Sequence, residues 1–277
     1  MTANDSISTT DVRACLERSG YLLESRLVRA LTNADMFVEP NVAHRDPRTG
    51  KSRELDLVAE DATGYFPHRA VVKTTFVIEA INNRFPVVLL TERPSTPNSD
   101  FESYVKFGYT PTNSAFLSSF HVYEEKQADW QNLFSQYCSL TKKNSRDELM
   151  AHHPDDMYSS LLKLAEYTEA QLVSFLDWTA EQEGKYWRMF FWRPILVVGG
   201  QLMICVADER GEIELRECAV GRLEFNWHDG EERKTTVVEF VQEQHLLDHI
   251  ESIRAQDHDI ASRMSDFRDR TQPEAYR

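Results

Sequence analysis

Between Ala70 and Ile81 the chain reads Ala-Val-Val-Lys-Thr-Thr-Phe-Val-Ile-Glu-Ala-Ile, a run of β-branched and apolar residues whose single acid is Glu79. Its length and β-branched content predict a strand. A carboxylate inside such a strand is costly to bury unless it is paired, hydrogen-bonded, metal-bound or protonated. The same holds for Asp56 in Glu-Leu-Asp-Leu-Val, so the fold has to bring partners to both acids or turn them to water.

The surrounding pattern supplies the elements. Polar residues 1 to 9 read as a disordered start, with Thr9, Thr10 or Asp11 capping a first helix. Leu23, Leu27, Ala30 and Leu31 then form a helical stripe to about Asn33. Strands are expected at Met36 to Val42, Arg53 to Ala59, Ala70 to Ile81 and Val87 to Leu90, the last apolar on both faces as an interior strand is. Residues 91 to 156 are punctuated by Pro94, Pro97 and Pro111, with short strands expected around Tyr104 to Tyr109 and Phe116 to Tyr123 and a helix from Asp129. His153-Pro-Asp-Asp156 reads as the start of a helix running to about Glu183, with Pro and acids in its first turn. Strands follow at Tyr186 to Phe191, Pro194 to Val198, Leu202 to Val206, Glu212 to Leu223 and Thr235 to Val241, then a helix over Gln244 to Arg254 and a loose, charged tail from Gln256.

Composition excludes several classes. At 277 residues, 41% hydrophobic and 27% charged, the chain fits neither a disordered nor a collagen-like protein. Its longest nearly apolar run, Pro194 to Ala207, is shorter than the roughly 20 residues a membrane helix needs and contains Gln201. No membrane association is expected. The N-terminus has neither a basic start nor an apolar signal core, which makes the cytoplasm the expected compartment. Cys15, Cys138, Cys205 and Cys218 form no C-x-x-C pair and are expected as reduced thiols. The net charge of -14 disfavours autonomous, non-specific binding to nucleic acid, because such binding is driven by Lys and Arg neutralising phosphates.

Three acids therefore stand out in the order helix, strand, strand: Glu24, Asp56 and Glu79. A divalent cation is one natural partner for such a set. Mg²⁺ takes one or two carboxylates plus waters and substrate phosphate, and it can activate a water for phosphodiester hydrolysis. This arrangement resembles the PD-(D/E)XK, or restriction endonuclease-like, nucleases. Gly20-Tyr-Leu-Leu-Glu24 is similar to the helix acid of that superfamily, Arg53-Glu-Leu-Asp56-Leu-Val to its first strand acid, and Val77-Ile-Glu79-Ala-Ile81-Asn82 to its (D/E)-x-K strand. Phe85-Pro-Val-Val-Leu-Leu resembles the strand that follows in many bacterial members. The resemblance covers residues 20 to 91. It implies an α/β fold with a restriction endonuclease-like mixed central sheet flanked by helices, extended here by C-terminal strands. It also implies catalytic roles for Glu24, Asp56 and Glu79, with Asp56 and Glu79 as Mg²⁺ ligands.

One position departs from the pattern: the family's lysine, two residues after the second strand acid, is Ile81. An apolar side chain cannot orient a water or stabilise developing charge. Lys73 shares the strand face of Glu79 but lies about 20 Å away at roughly 3.3 Å per residue. Asn82 and Arg84 are the nearer substitutes, although Asn carries no charge and Arg is a poor proton acceptor. Other polar groupings have simpler readings. His152-His153 with Asp155-Asp156 lacks metalloprotease spacing and reads as a helix start. Tyr186 to Arg193 reads as an amphipathic core strand, and Glu124-Glu125 and Glu231-Glu232 as solvated turns.

The expectation is one domain over residues 10 to 255, with a core at 20–91, an insertion at 92–184 and C-terminal strands and helix at 185–255, followed by the tail at 256–277. Loss of the motif lysine points to a non-cleaving or weakly active binding or assembly subunit in a nucleic-acid-processing or defence system. Such a subunit would work with a protein partner or a second copy of itself, with nucleic acid as a further partner. The alternative is an active Mg²⁺-dependent nuclease with a relocated catalytic cation.

Overall fold

A computed structural model describes residues 7–46, 49–65, 70–94, 104–110, 132–142, 148–179 and 187–271. The strand expected at Phe116 to Tyr123, the acid pair Glu124-Glu125, and residues 1–6 and 272–277 lie outside these. The chain is mixed α/β, a twelve-stranded mixed sheet flanked by helices. Helix α1 (Thr9–Ser19) is capped by the Ser8 hydroxyl, which accepts from the Asp11 N–H, and it ends at Gly20 with φ of 92°. Gly20 lets the chain turn at once into α2 (Tyr21–Asn33). Strands β1 (Phe37–Arg45), β2 (Ser52–Tyr65) and β3 (Ala70–Ile81) follow as an antiparallel meander.

After β4 (Val87–Pro94), β5 (Lys106–Thr110), β6 (Asn132–Lys142) and β7 (Leu149–His152), helix α3 (Asp155–Thr179) leads into β8 (Trp187–Val198). Then come β9 (Leu202–Ala207), β10 (Ile213–Glu217), β11 (Val220–Asp229), β12 (Glu232–Gln242), a 3-10 turn (Glu243–His245) and α4 (Leu246–Thr271). The strand order is β1-β2-β3-β8-β12-β11-β6-β4-β9-β10, with β5 on β8 and β7 on β6. Strand β8 therefore lies beside β3 and pairs with it in parallel from Ala70↔Trp187 to Ile81↔Val198. The C-terminal strands are not an appendage to the N-terminal core: β8, β12 and β11 lie in the interior of the sheet.

The strands cover both faces with apolar side chains because helices lie on both. On one face Leu161, Leu164 and Ala165 of α3 pack on Val77, Leu196 and Val198. On the other, Leu23, Leu27 and Leu31 of α2 and Leu246, Ile250 and Ile253 of α4 pack on Phe76, Ile78, Ile195 and Val197. Further along α4, Ile260, Ala261 and Met264 cover Val72, Met189 and Phe191. Burial of apolar surface, at roughly 25 cal/mol per Å², makes these two layers the main favourable contribution to folding.

Four sequence expectations change. From Asn132 the chain is a strand, not the helix expected from Asp129; β6 is interior, between β11 and β4, and its buried residues fall on both faces. The two strands expected on either side of Pro194 are one. Along one side of β8 the antiparallel partner β5 covers Arg188 to Trp192 and the parallel partner β12 starts at Ile195, so Pro194 falls between the two ladders. The strand expected over Glu212 to Leu223 breaks between Glu217 and Val220, giving β10 and β11. The segment expected to be loose from Gln256 continues α4 to Thr271, anchored by a buried hydrogen bond of 2.6 Å from the Thr74 hydroxyl to Asp257.

Candidate active site

Strands β2 and β3 pair from Tyr65↔Ala70 to Leu57↔Ile78 and then separate. The next rung would join Asp56 to Glu79. There the two side chains take over the work of the backbone: the Asp56 N–H donates to Glu79 Oε1 at 3.3 Å, and the Ala80 N–H donates to Asp56 Oδ2 at 2.7 Å. The β1–β2 ladder is interrupted at the same level, between Pro40↔Leu57 and Val42↔Leu55, where Asn41 adopts φ of 52°. The inward alternation slips by one residue here: Leu57 and Ala59 face α2 and α4, whereas Leu55 and Val58 face α3. Such a local irregularity re-aims a side chain, and the one re-aimed is Asp56.

Helix α3 closes the fork. Lys163 Nζ stands 2.5 Å from Glu79 Oε2 and donates to the Glu54 carbonyl at 3.1 Å. Ser160, one turn earlier on the same helix face, hydrogen-bonds the Glu79 carboxylate. Glu24, in the first turn of α2, is half-buried and feels the charges of both Asp56 and Lys163.

Burial is the main influence on all three acids. It pushes Glu79, only 2% exposed, up to about 7, with the Asp56 charge adding to the rise and Lys163 and Ser160 opposing it. Burial also raises Asp56, against the Ala80 N–H and Lys163, and it raises Glu24, helped by Asp56 and opposed by Lys163. Two buried carboxyls, both raised by burial and one raised further by the charge of the other, set beside one ammonium form a site suited to added positive charge.

The sequence candidates are therefore divided in space. Glu24, Asp56 and Glu79 come together. Asn82 instead donates its amide to the Glu17 carbonyl of α1, and the Arg84 guanidinium lies 5.9 Å from the Phe85 ring centroid. The cation beside Glu79 is Lys163, which the sequence reading passed over. A signal for it existed: Leu161-Leu-Lys-Leu-Ala165 is a lone charge in a buried apolar run, as Glu79 is in its strand.

Asp56 and Glu79 supply the two carboxylates that Mg²⁺ ordinarily takes from protein. Among the described residues no group of three or more His, Cys, Asp or Glu is gathered closely enough to enclose a metal, so water and substrate oxygens would have to complete any such site. No helix among those described is long and apolar enough to cross a membrane. A scan against protein-family models and searches of curated proteins and of solved structures find no match.

Proposed function

We propose that the chain is a Mg²⁺-dependent phosphodiester hydrolase of the restriction endonuclease-like kind, with Lys163 in place of the motif lysine. The observation that carries this reading is the contact between Lys163 Nζ and Glu79 Oε2, made at the fork where Asp56 and Glu79 replace a backbone rung. Asp56 and Glu79 would hold the metal and Glu24 would orient a water. The metal, when bound, supplies charge neutralisation at the scissile phosphate. Lys163 orients the attacking water and offsets the charge that develops on the phosphoryl oxygens, work that Ile81 cannot do.

A non-cleaving binding or assembly subunit is the second reading, and the net charge of -14 favours it, since an acidic protein suits a basic protein partner better than free nucleic acid. The test is calorimetric titration of Mg²⁺ or Mn²⁺ into the wild type and Asp56→Ala, beside a cleavage assay on DNA and RNA, single- and double-stranded. Metal binding and cleavage that are both lost in Asp56→Ala support the nuclease. Binding without cleavage returns the chain to the second reading, and no binding by the wild type removes the metal site.

A further inference from the structure

The two ends of the sheet differ. At one edge, β1 carries Pro40, which has no N–H to donate, and Asn41 in the left-handed region, which interrupts the ladder. These are the devices that keep an edge strand from pairing with another chain. At the other edge, β10 has neither proline nor an interrupted register, and among the described residues it pairs with β9 alone. Its Ile213 and Leu215 are 67% and 58% exposed.

The backbone direction of β10 follows from its turn. Asp208 N–H donates to the Glu212 carbonyl, in line with the pairing Ile213↔Ala207 to Glu217↔Met203. Alternation along an antiparallel strand then turns the groups of residues 214 and 216 toward β9 and leaves those of 213, 215 and 217 on the open edge. A second β10 laid antiparallel with Leu215 opposite Leu215 uses all of these outward groups. In that register Glu214 faces Arg216 of the other copy, and Arg216 faces Glu214, at the non-hydrogen-bonded positions where side chains approach most closely. On the other face Leu215 meets Leu215 of the other copy, flanked by Ile213 opposite Glu217. Centring the pair on residue 214 or 216 instead puts like charges opposite each other, so the charge pattern selects one register.

We infer that β10 is the seam of a two-fold homodimer, in which the sheets of two copies join through the Ile213–Glu217 strands with Glu214 paired to Arg216 across the axis. The surface is isologous, as a two-fold interface has to be. Sedimentation velocity on the full chain across a concentration series, with circular dichroism to verify folding, tests it. The wild type should dimerise reversibly. Glu214→Arg and Arg216→Glu should each weaken association by about tenfold or more, because symmetry makes each reversal act twice. The double variant should return to within a few-fold of the wild type, and Leu215→Pro, which removes an outward N–H, should be monomeric. A wild type that stays monomeric, association indifferent to these changes, or single-variant losses that the double variant does not restore would each overturn the inference.

Discussion

Lys163 reaches Glu79 from α3, a helix within the segment that separates β4 from β8, and its ammonium lies 2.5 Å from the carboxylate. The Lys163 side chain is mostly buried and its second partner is the Glu54 carbonyl, so its position is fixed by the fold and not by a surface loop. Lys163→Met should lower cleavage on the order of 10²-fold, the usual loss when a charge-stabilising group is removed. Metal titration should still show binding, because Asp56 and Glu79 remain. Equal cleavage by the wild type and the variant would show that the ammonium is only structural.

The raised carboxyl of Glu79 has a consequence for stability. Its folded value of about 7 lies above the ordinary 4.5, so between those pH values the native state holds a proton that the unfolded chain has released. Stability therefore falls as pH rises through that window and levels off above it. Glu79→Gln removes the buried charge and should melt higher than the wild type at pH 8, with the gap closing toward pH 4.5. Thermal melts at several pH values check this, and added Mg²⁺ should raise the wild-type midpoint at pH 8 but leave Glu79→Gln unmoved.

A second buried acid behaves in the opposite way. Burial works against the charge of Glu239, yet Arg193, His249 and Arg222 hold it well below the ordinary carboxylate range. Arg193 binds it through two hydrogen bonds, of 2.6 and 3.1 Å. Glu239→Ala leaves buried cations without their counter-charge and should cost about 3–5 kcal/mol in urea unfolding.

Gly200, just beyond β8, is set against the connection between β3 and β4. A Cβ there would lie 2.4 Å from the Asn83 carbonyl oxygen, a backbone atom that cannot swing aside. Gly200→Ala should destabilise by about 1–3 kcal/mol, the usual cost of overpacking. Gly211→Ala is the useful contrast, because its added methyl meets nothing within 4 Å and its cost comes only from a φ of 79°.

Local pattern was enough to place β3 at Ala70 to Ile81, and the expense of burying acids in strands was enough to single out Asp56 and Glu79, whereas Glu24 was added by the order helix, strand, strand and the family resemblance. What could not be read locally were relations between distant segments. Lys163 is an unremarked helix residue until α3 is laid across β2 and β3. The continuation of α4 was hidden by Asp257, Asp259, Asp266 and Asp269, which outweigh the stripe of Ile260, Ala261 and Met264 in a composition-based reading. Pro194 looked like a strand break because its tolerance depends on which neighbour lies beside each residue of β8, and that is a property of the whole sheet.

The parallel pairing of β3 with β8 also governs when the cluster can exist. Its acids are synthesised by residue 79, but Lys163 arrives on a helix that leads into β8, and β8 has no place in the sheet until it finds β3. Pairings between segments this distant form late, after the entropy of closing the intervening loop has been overcome. A nascent chain or proteolytic fragment that ends between residues 79 and 163 thus carries Glu24, Asp56 and Glu79 but not the ammonium. Completion of the site is a report that the centre of the sheet has closed.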